Sequence, residues 1–106
     1  MELKRLSYRE IYKLDPIKEN LQFTNSKNNF FSKVEDNKYI LYSYSTFWPI
    51  LVIDHSNKII FLNTQRYSRT TTKHTRIAKS LIFNKFENYE IYSTNKNEVY
   101  KQSIFK

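Results

Sequence analysis

The sequence predicts an α+β domain. An antiparallel β-meander spans about residues 30–63, one helix over about residues 70–84 packs on it, and helical segments stand at the N-terminal end. Three observations predict this. Short runs rich in Phe, Tyr, Ile and Val recur between residues 30 and 63, separated by brief polar turns. The next stretch changes period, because His74, Ile77, Ala78 and Leu81 fall on one stripe at helical spacing. Near the start, Ser7 followed by Glu10 has the spacing of a capping box.

In order along the chain, residues 1–23 read as mainly helical. Leu6, Ile11 and Leu14 can line one side of a first short helix. Pro16 then interrupts it and separates a second segment containing Ile17, Leu21 and Phe23. Residues 24–29 are polar and Asn-rich, a loop. Phe30, Phe31 and Val34 form the first strand, ended by Glu35, Asp36 and Asn37. Residues 39–45 form the second, with Tyr39 and Leu41 on one face and Ile40, Tyr42 and Tyr44 on the other. Thr46 and Phe47 connect it to a third strand over 48–54, where Pro49 sits near the start and a missing N–H is tolerated. The continuous run Ile50, Leu51, Val52, Ile53 suggests a strand covered on both faces.

Residues 54–58 read as a hairpin turn, with Asn57 supplying the positive φ, and residues 58–63 return. After a loop over 64–69, Thr70 or Thr71 serves as N-cap of the long helix. Residues 87–93 add a short strand through Tyr89 and Ile91, while 98–105 fits either a helix or an edge strand. With no internal repeat and no linker, residues 1–106 are expected to form a single domain.

The chain has 106 residues and no glycine, so turns that need positive φ are expected to draw on its many Asn residues. Cysteine is absent, which excludes disulfides, thiol chemistry and Cys-based zinc sites. Two histidines, His55 and His74, leave no recognisable metal spacing, and no cofactor is expected. The first residues are too charged for a signal peptide, and no apolar run reaches the roughly 18 residues that span a bilayer. A cytoplasmic protein without membrane association is the expectation.

The formal net charge is +8, a balance that attracts polyanions. Between His55 and Phe86 no acidic residue occurs, while Lys58, Arg66, Arg69, Lys73, Arg76, Lys79 and Lys85 do. Arg66, Tyr67, Arg69, Lys73, Arg76 and Lys79 are therefore the candidate nucleic-acid or anion-binding residues. Arg66, Tyr67, Arg69 and Lys73, with the Thr70–Thr72 run, could cradle a phosphate at the helix start. His74 lies on the apolar stripe and is expected to be a buried imidazole satisfied by a tyrosine hydroxyl or a backbone carbonyl. No carboxylate pair stands near it to tune an acid/base role. Tyr39, Tyr42, Tyr44 and Trp48 are read as core-filling residues rather than base-stacking platforms.

The string Leu41-Tyr42-Ser43-Tyr44-Ser45-Thr46, an apolar strand ending at Asp54, and then Tyr67-Ser68-Arg69-Thr70-Thr71-Thr72-Lys73-His74 resemble a group of small phage and mobile-element proteins. The shared pattern is an "SY-x-T" strand end, a hairpin, and "YS-x-TT-x-x-H" opening a helix. The resemblance covers roughly residues 29–82. It implies phage origin and the meander-plus-helix layout, and it carries no biochemical activity across.

Charge and resemblance together favour a non-enzymatic, phage-derived accessory protein. It would bind nucleic acid or a host ribonucleoprotein, or a host defence protein, as an inhibitor of the anti-CRISPR kind. One alternative is a protein–protein interaction module acting as a homo-oligomer. The other is a small metal-free nuclease using His55 or His74.

Overall fold

The structure, a computed structural model, describes residues 3–44, 48–65, 68–83 and 85–94. The elements run β1 (Lys4–Arg5), α1 (Tyr8–Leu14), β2 (Phe23–Thr24), β3 (Phe30–Glu35), β4 (Lys38–Ser43), β5 (Pro49–Asp54), β6 (Ile59–Asn63), α2 (Arg69–Ile82) and β7 (Glu90–Thr94). The strands form one seven-stranded sheet in sequence order, and the fold is α+β. From β2 to β6 all neighbours are antiparallel; β3 to β6 are the expected meander, and β2 extends it by one strand.

Both ends of the sheet are parallel, with β1 beside β2 and β6 beside β7. Parallel neighbours cannot be joined by a tight turn and need a crossover. The two helices are those crossovers: α1 lies between β1 and β2, and α2 between β6 and β7. Both deliver side chains to the same cluster on one face of the sheet. Ile11 comes from α1; Ile77, Ala78, Leu81 and Ile82 come from α2; Phe30, Tyr39, Leu41, Leu51, Ile53 and Ile60 meet them from the strands. The opposite face carries a smaller cluster of Ile40, Tyr42, Val52 and Phe61, with Phe31 and Ile59 against it. Every residue of β4 and β5 is consequently buried, in keeping with their unbroken apolar runs.

β5 skips a residue against β4, since Leu41 pairs with Leu51 but Tyr42 with Pro49. The extra residue, Ile50, joins the main core. Pro49 begins the strand, and its carbonyl accepts a bond from the Asn63 side chain at 2.9 Å.

Five of the seven positive-φ positions among the described residues are Asn or Asp. Asp36 and Asn37 are consecutive left-handed residues between the paired Glu35 and Lys38, the geometry of a two-residue hairpin loop. The β5–β6 turn differs from expectation, because Lys58 and not Asn57 takes the positive φ, at 55°. Asp54 decides this. Its carboxylate accepts from the Ser56 N–H, the Asn57 N–H and the Asn57 side chain, so Asn57 is held inside the turn and the reversal falls on the next residue. Although burial acts to raise its pKa, those Asn57 bonds, the nearby Lys38 charge and the Ser56 bond leave the Asp54 carboxyl below the usual range.

The N-terminal region holds one helix, not two helical segments. The capping box of Ser7 and Glu10 is present, and α1 ends at Asp15 in the left-handed region ahead of Pro16. Residues 16–20 fold into turns, and Phe23–Thr24 becomes strand β2. Ser32 enforces this from the neighbouring strand: its hydroxyl accepts from the Phe23 N–H at 3.0 Å and donates to the Leu21 carbonyl at 3.0 Å. Leu6 and Ile11 are buried as expected, but Leu14 is exposed. The expected strand near residue 90 is β7, and residues 98–105 lie outside the described set. Among the described residues no helix is long and apolar enough to cross a membrane.

Candidate functional site

α2 begins earlier than Thr70 or Thr71 would place it. Its N-cap is Ser68, whose extended backbone turns its hydroxyl onto the Thr71 N–H at 3.1 Å. Thr71 then lies within the first turn, its side chain directed into the core and 1% exposed. The helix divides sharply. Thr71, His74, Ile77, Ala78, Leu81 and Ile82 are buried, while Arg69, Lys73, Arg76, Lys79 and Phe83 are exposed.

His74 is the hub of the inner side. It is fully buried and stacks on Phe30, with ring centroids 4.4 Å apart and planes within 9°. Its Nδ1 lies 2.7 Å from Ser43 Oγ, and its Nε2 lies 3.0 Å from the Tyr8 hydroxyl. A tyrosine hydroxyl was the expected partner; the second proves to be a serine on β4 rather than a backbone carbonyl. Burial, then the positive charge of Lys73, pushes the imidazole down to about 4, so it is neutral at pH 7.

A neutral imidazole has one donor and one acceptor. The network supplies one of each. Asn25 donates to the Tyr8 oxygen at 3.2 Å, and the same hydroxyl pairs with Nε2. Nδ1 pairs with the Ser43 hydroxyl, which also meets Thr71 Oγ1 at 3.1 Å. The Asn25 amide is itself oriented by the Asn29 N–H and the Asn29 side chain. His74 thus ties α2, α1, β4 and the β2–β3 loop together.

Ser68 also donates to Tyr44 at 3.3 Å, joining the helix start to the end of β4. Tyr44 is the one exposed member of the three strand tyrosines, since Tyr39 and Tyr42 are buried. Its φ of 71° lies in the left-handed region, which is costly for a bulky side chain. Bonds from Ser68 and Thr70, with the charge of Lys27, hold its phenol below the usual range.

The candidate cations occupy the outer side. Arg69 and Arg76 lie along the crest of α2, and Lys79 and Lys73 lean to opposite flanks. Lys73 Nζ sits 4.2 Å from the centroid of the Tyr8 ring. Arg66 and Tyr67 lie outside the described residues. Among the described residues the only ion pair joins Lys85 to Asp15 at 2.9 Å, so no salt bridge there neutralises the α2 cations. Lys27, on the β2–β3 loop, borders the same hollow as Lys73. Sequence distance hid it, as it hid Tyr8, Asn25 and Ser43: each acts across a fold that local pattern does not report.

His55 stands elsewhere. Its N–H bonds to the Asn37 carbonyl, at the Lys38 end of β4, and its Nδ1 lies 2.8 Å from the Tyr89 hydroxyl. His74 meets the Ser43 end of that strand, five residues and roughly 17 Å along. The two imidazoles cannot flank one phosphate as an acid/base pair. Among the described residues, no group of three or more His, Cys, Asp or Glu side chains could hold a metal ion.

Fold and site together define a small α+β domain with a mixed sheet, both helices on one face, and a basic helix turned outward without an acidic residue. The chain belongs to a family of unknown function, DUF8033, whose model matches residues 12–88. The match takes in β2 to β6 and α2, and leaves β1, the first turn of α1 and β7 outside. Nothing among curated proteins or solved structures matches the chain significantly.

Proposed function

We propose that this domain is a non-enzymatic accessory protein that binds nucleic acid, free or within a host ribonucleoprotein, through the outward side of α2. One observation carries the reading. A 14-residue helix bears four cations and no acid, its apolar side is committed to the core, and its charged side is exposed. A solvated helix face ordinarily mixes both signs, which keeps the local field small. A face of one sign raises the local concentration of polyanions. The net charge of +8 points the same way and opposes mimicry of nucleic acid. Roughly residues 29–82 resemble small phage and mobile-element proteins; small standalone phage proteins often act against host machinery, and inhibition of a host defence system, of the anti-CRISPR kind, is the setting proposed here.

The test is binding to short DNA and RNA oligonucleotides over a range of salt concentrations. Affinity is expected to fall steeply with salt, by about 0.9 in log–log slope for each duplex phosphate neutralised. A flat dependence, or no binding, rejects the reading.

A second reading, a homo-oligomeric interaction module, draws on β7. Among the described residues it is the last strand of the sheet, and its Ile91 and Tyr92 are 51% and 47% exposed. Sedimentation equilibrium separates the two, since a monomer at micromolar concentration disfavours the second.

A further inference from the structure

The hollows beside α2 indicate which nucleic acid it suits. One, of about 250 Å³, is lined by Thr72, Thr75, Arg76 and Lys79 together with Thr64 and Gln65. The other, of about 270 Å³, lies across the helix, with Lys73 and Thr70 facing Lys27 and Asn29. Between them α2 stands as a ridge, with Arg69 and Arg76 on its crest. Cations therefore border the ridge on both sides and do not follow one track. We propose that α2 is a recognition helix for duplex DNA: its crest enters the major groove, and the lysines on its flanks reach the phosphates of the two opposite strands. The proposal rests on the reading of α2 as a nucleic-acid face.

The dimensions agree. A helix with its side chains is about 10–12 Å across, and the major groove of B-DNA is about 12 Å wide. Fourteen residues give a rod of about 21 Å, enough to cross the groove. On either side of a helix lying there run the two sugar–phosphate backbones. Lys79 faces one of them, and Lys73 and Lys27 face the other.

Crest residues then meet base edges. Arginine is suited to guanine there, because its guanidinium matches O6 and N7 together. The major groove of an RNA duplex is too deep and narrow to admit the ridge. Single-strand binders stack bases on aromatic platforms along one charged groove. Here Tyr39 and Tyr42 are buried, and the exposed Tyr44 and Phe83 stand at opposite ends of α2 rather than side by side as a platform.

The test measures binding of the full chain to a 20-base-pair DNA duplex, each of its single strands, and an RNA duplex of the same sequence, by fluorescence anisotropy at matched salt. Duplex DNA is expected to bind at least about 10-fold more tightly than the others. Lys27→Gln and Lys79→Gln, from opposite flanks, are each expected to lower the salt slope by about 0.9, the loss of one phosphate contact. Both side chains are exposed, so the fold survives their substitution. Ethylation interference is expected on both strands across one groove.

Single strands or duplex RNA binding as tightly as duplex DNA, or interference confined to one strand, would overturn the duplex proposal while leaving α2 a nucleic-acid face. Binding to none of the four probes removes both.

Discussion

His74 on α2 and Ser43 on β4 meet through a 2.7 Å hydrogen bond buried inside the core. Ser43 is fully buried, and it links the imidazole to Thr71 on the same helix. A polar bridge in this position orients α2 on the sheet, because sliding the helix by one turn would strand His74, Ser43 and Thr71 without partners. Apolar contacts alone would tolerate such a slip more readily. Buried polar groups are costly when unpaired, by roughly 1–3 kcal/mol each.

His74→Ala should therefore destabilise the fold by about 3 kcal/mol, combining a cavity beside Phe30 with the loss of one partner each by the Ser43 and Tyr8 hydroxyls. Tyr8→Phe removes one partner only and should cost about 1 kcal/mol. Urea denaturation of the two single variants and the double variant measures their coupling, which should depart from additivity by more than about 0.5 kcal/mol.

The depressed pKa of His74 makes stability fall in mild acid. The folded protein holds the imidazole neutral down to about 4, whereas the unfolded chain takes up the proton near 6.5. Between those values the unfolded state binds more protons, so stability is full above about pH 6.5 and declines as pH falls toward 4. The slope is about 1.4 kcal/mol per pH unit, which sums to about 3 kcal/mol across the window. The lowered Asp54 pKa adds a further loss at lower pH, as its carboxylate is protonated. Chemical denaturation at a series of pH values should trace this profile, and His74→Gln should flatten its pH 4–6.5 portion.

Arg76→Glu reverses a charge on the crest of α2 without touching the core. Nucleic-acid affinity should drop at least about 10-fold at low salt, equivalent to about 1.4 kcal/mol. Folding stability should stay within about 0.5 kcal/mol, as expected of an exposed position. Anisotropy and thermal melts of the same preparation check the two expectations.

Ser68→Ala removes the N-cap of α2 and its contact with Tyr44. The expected cost is about 1 kcal/mol. Lys58→Asn acts in the opposite direction. At φ 55° lysine strains the backbone by about 1 kcal/mol, which asparagine tolerates better, so the thermal midpoint should rise.

Much of this protein was legible before its fold was known. The strands over residues 30–63 and the buried stripe of His74, Ile77, Ala78 and Leu81 follow from periods of about 2 and 3.6 residues, which any stretch of chain expresses locally. Residue type and spacing gave the Ser7–Glu10 capping box, the strand end at Glu35, Asp36 and Asn37, and the absence of acid on the helix. Of the candidate site, the sequence named Arg69, Lys73, Arg76 and Lys79, because charge runs are visible in one dimension.

Tertiary structure decided the rest, and in each case the cause lies far along the chain. Phe23 joins a strand because Ser32 and its neighbours offer it bonds, although its own segment reads as helical. The parallel ends of the sheet arise because α1 and α2 must both cross the same face to bury their apolar sides. The partners of His74, Tyr8 and Ser43, stand 66 and 31 residues away. The placement of Lys73 beside Lys27, with Lys79 on the other flank, depends on how α2 is rotated on the sheet. Local sequence determines which face of a helix is charged; only packing determines what stands on either side of that face.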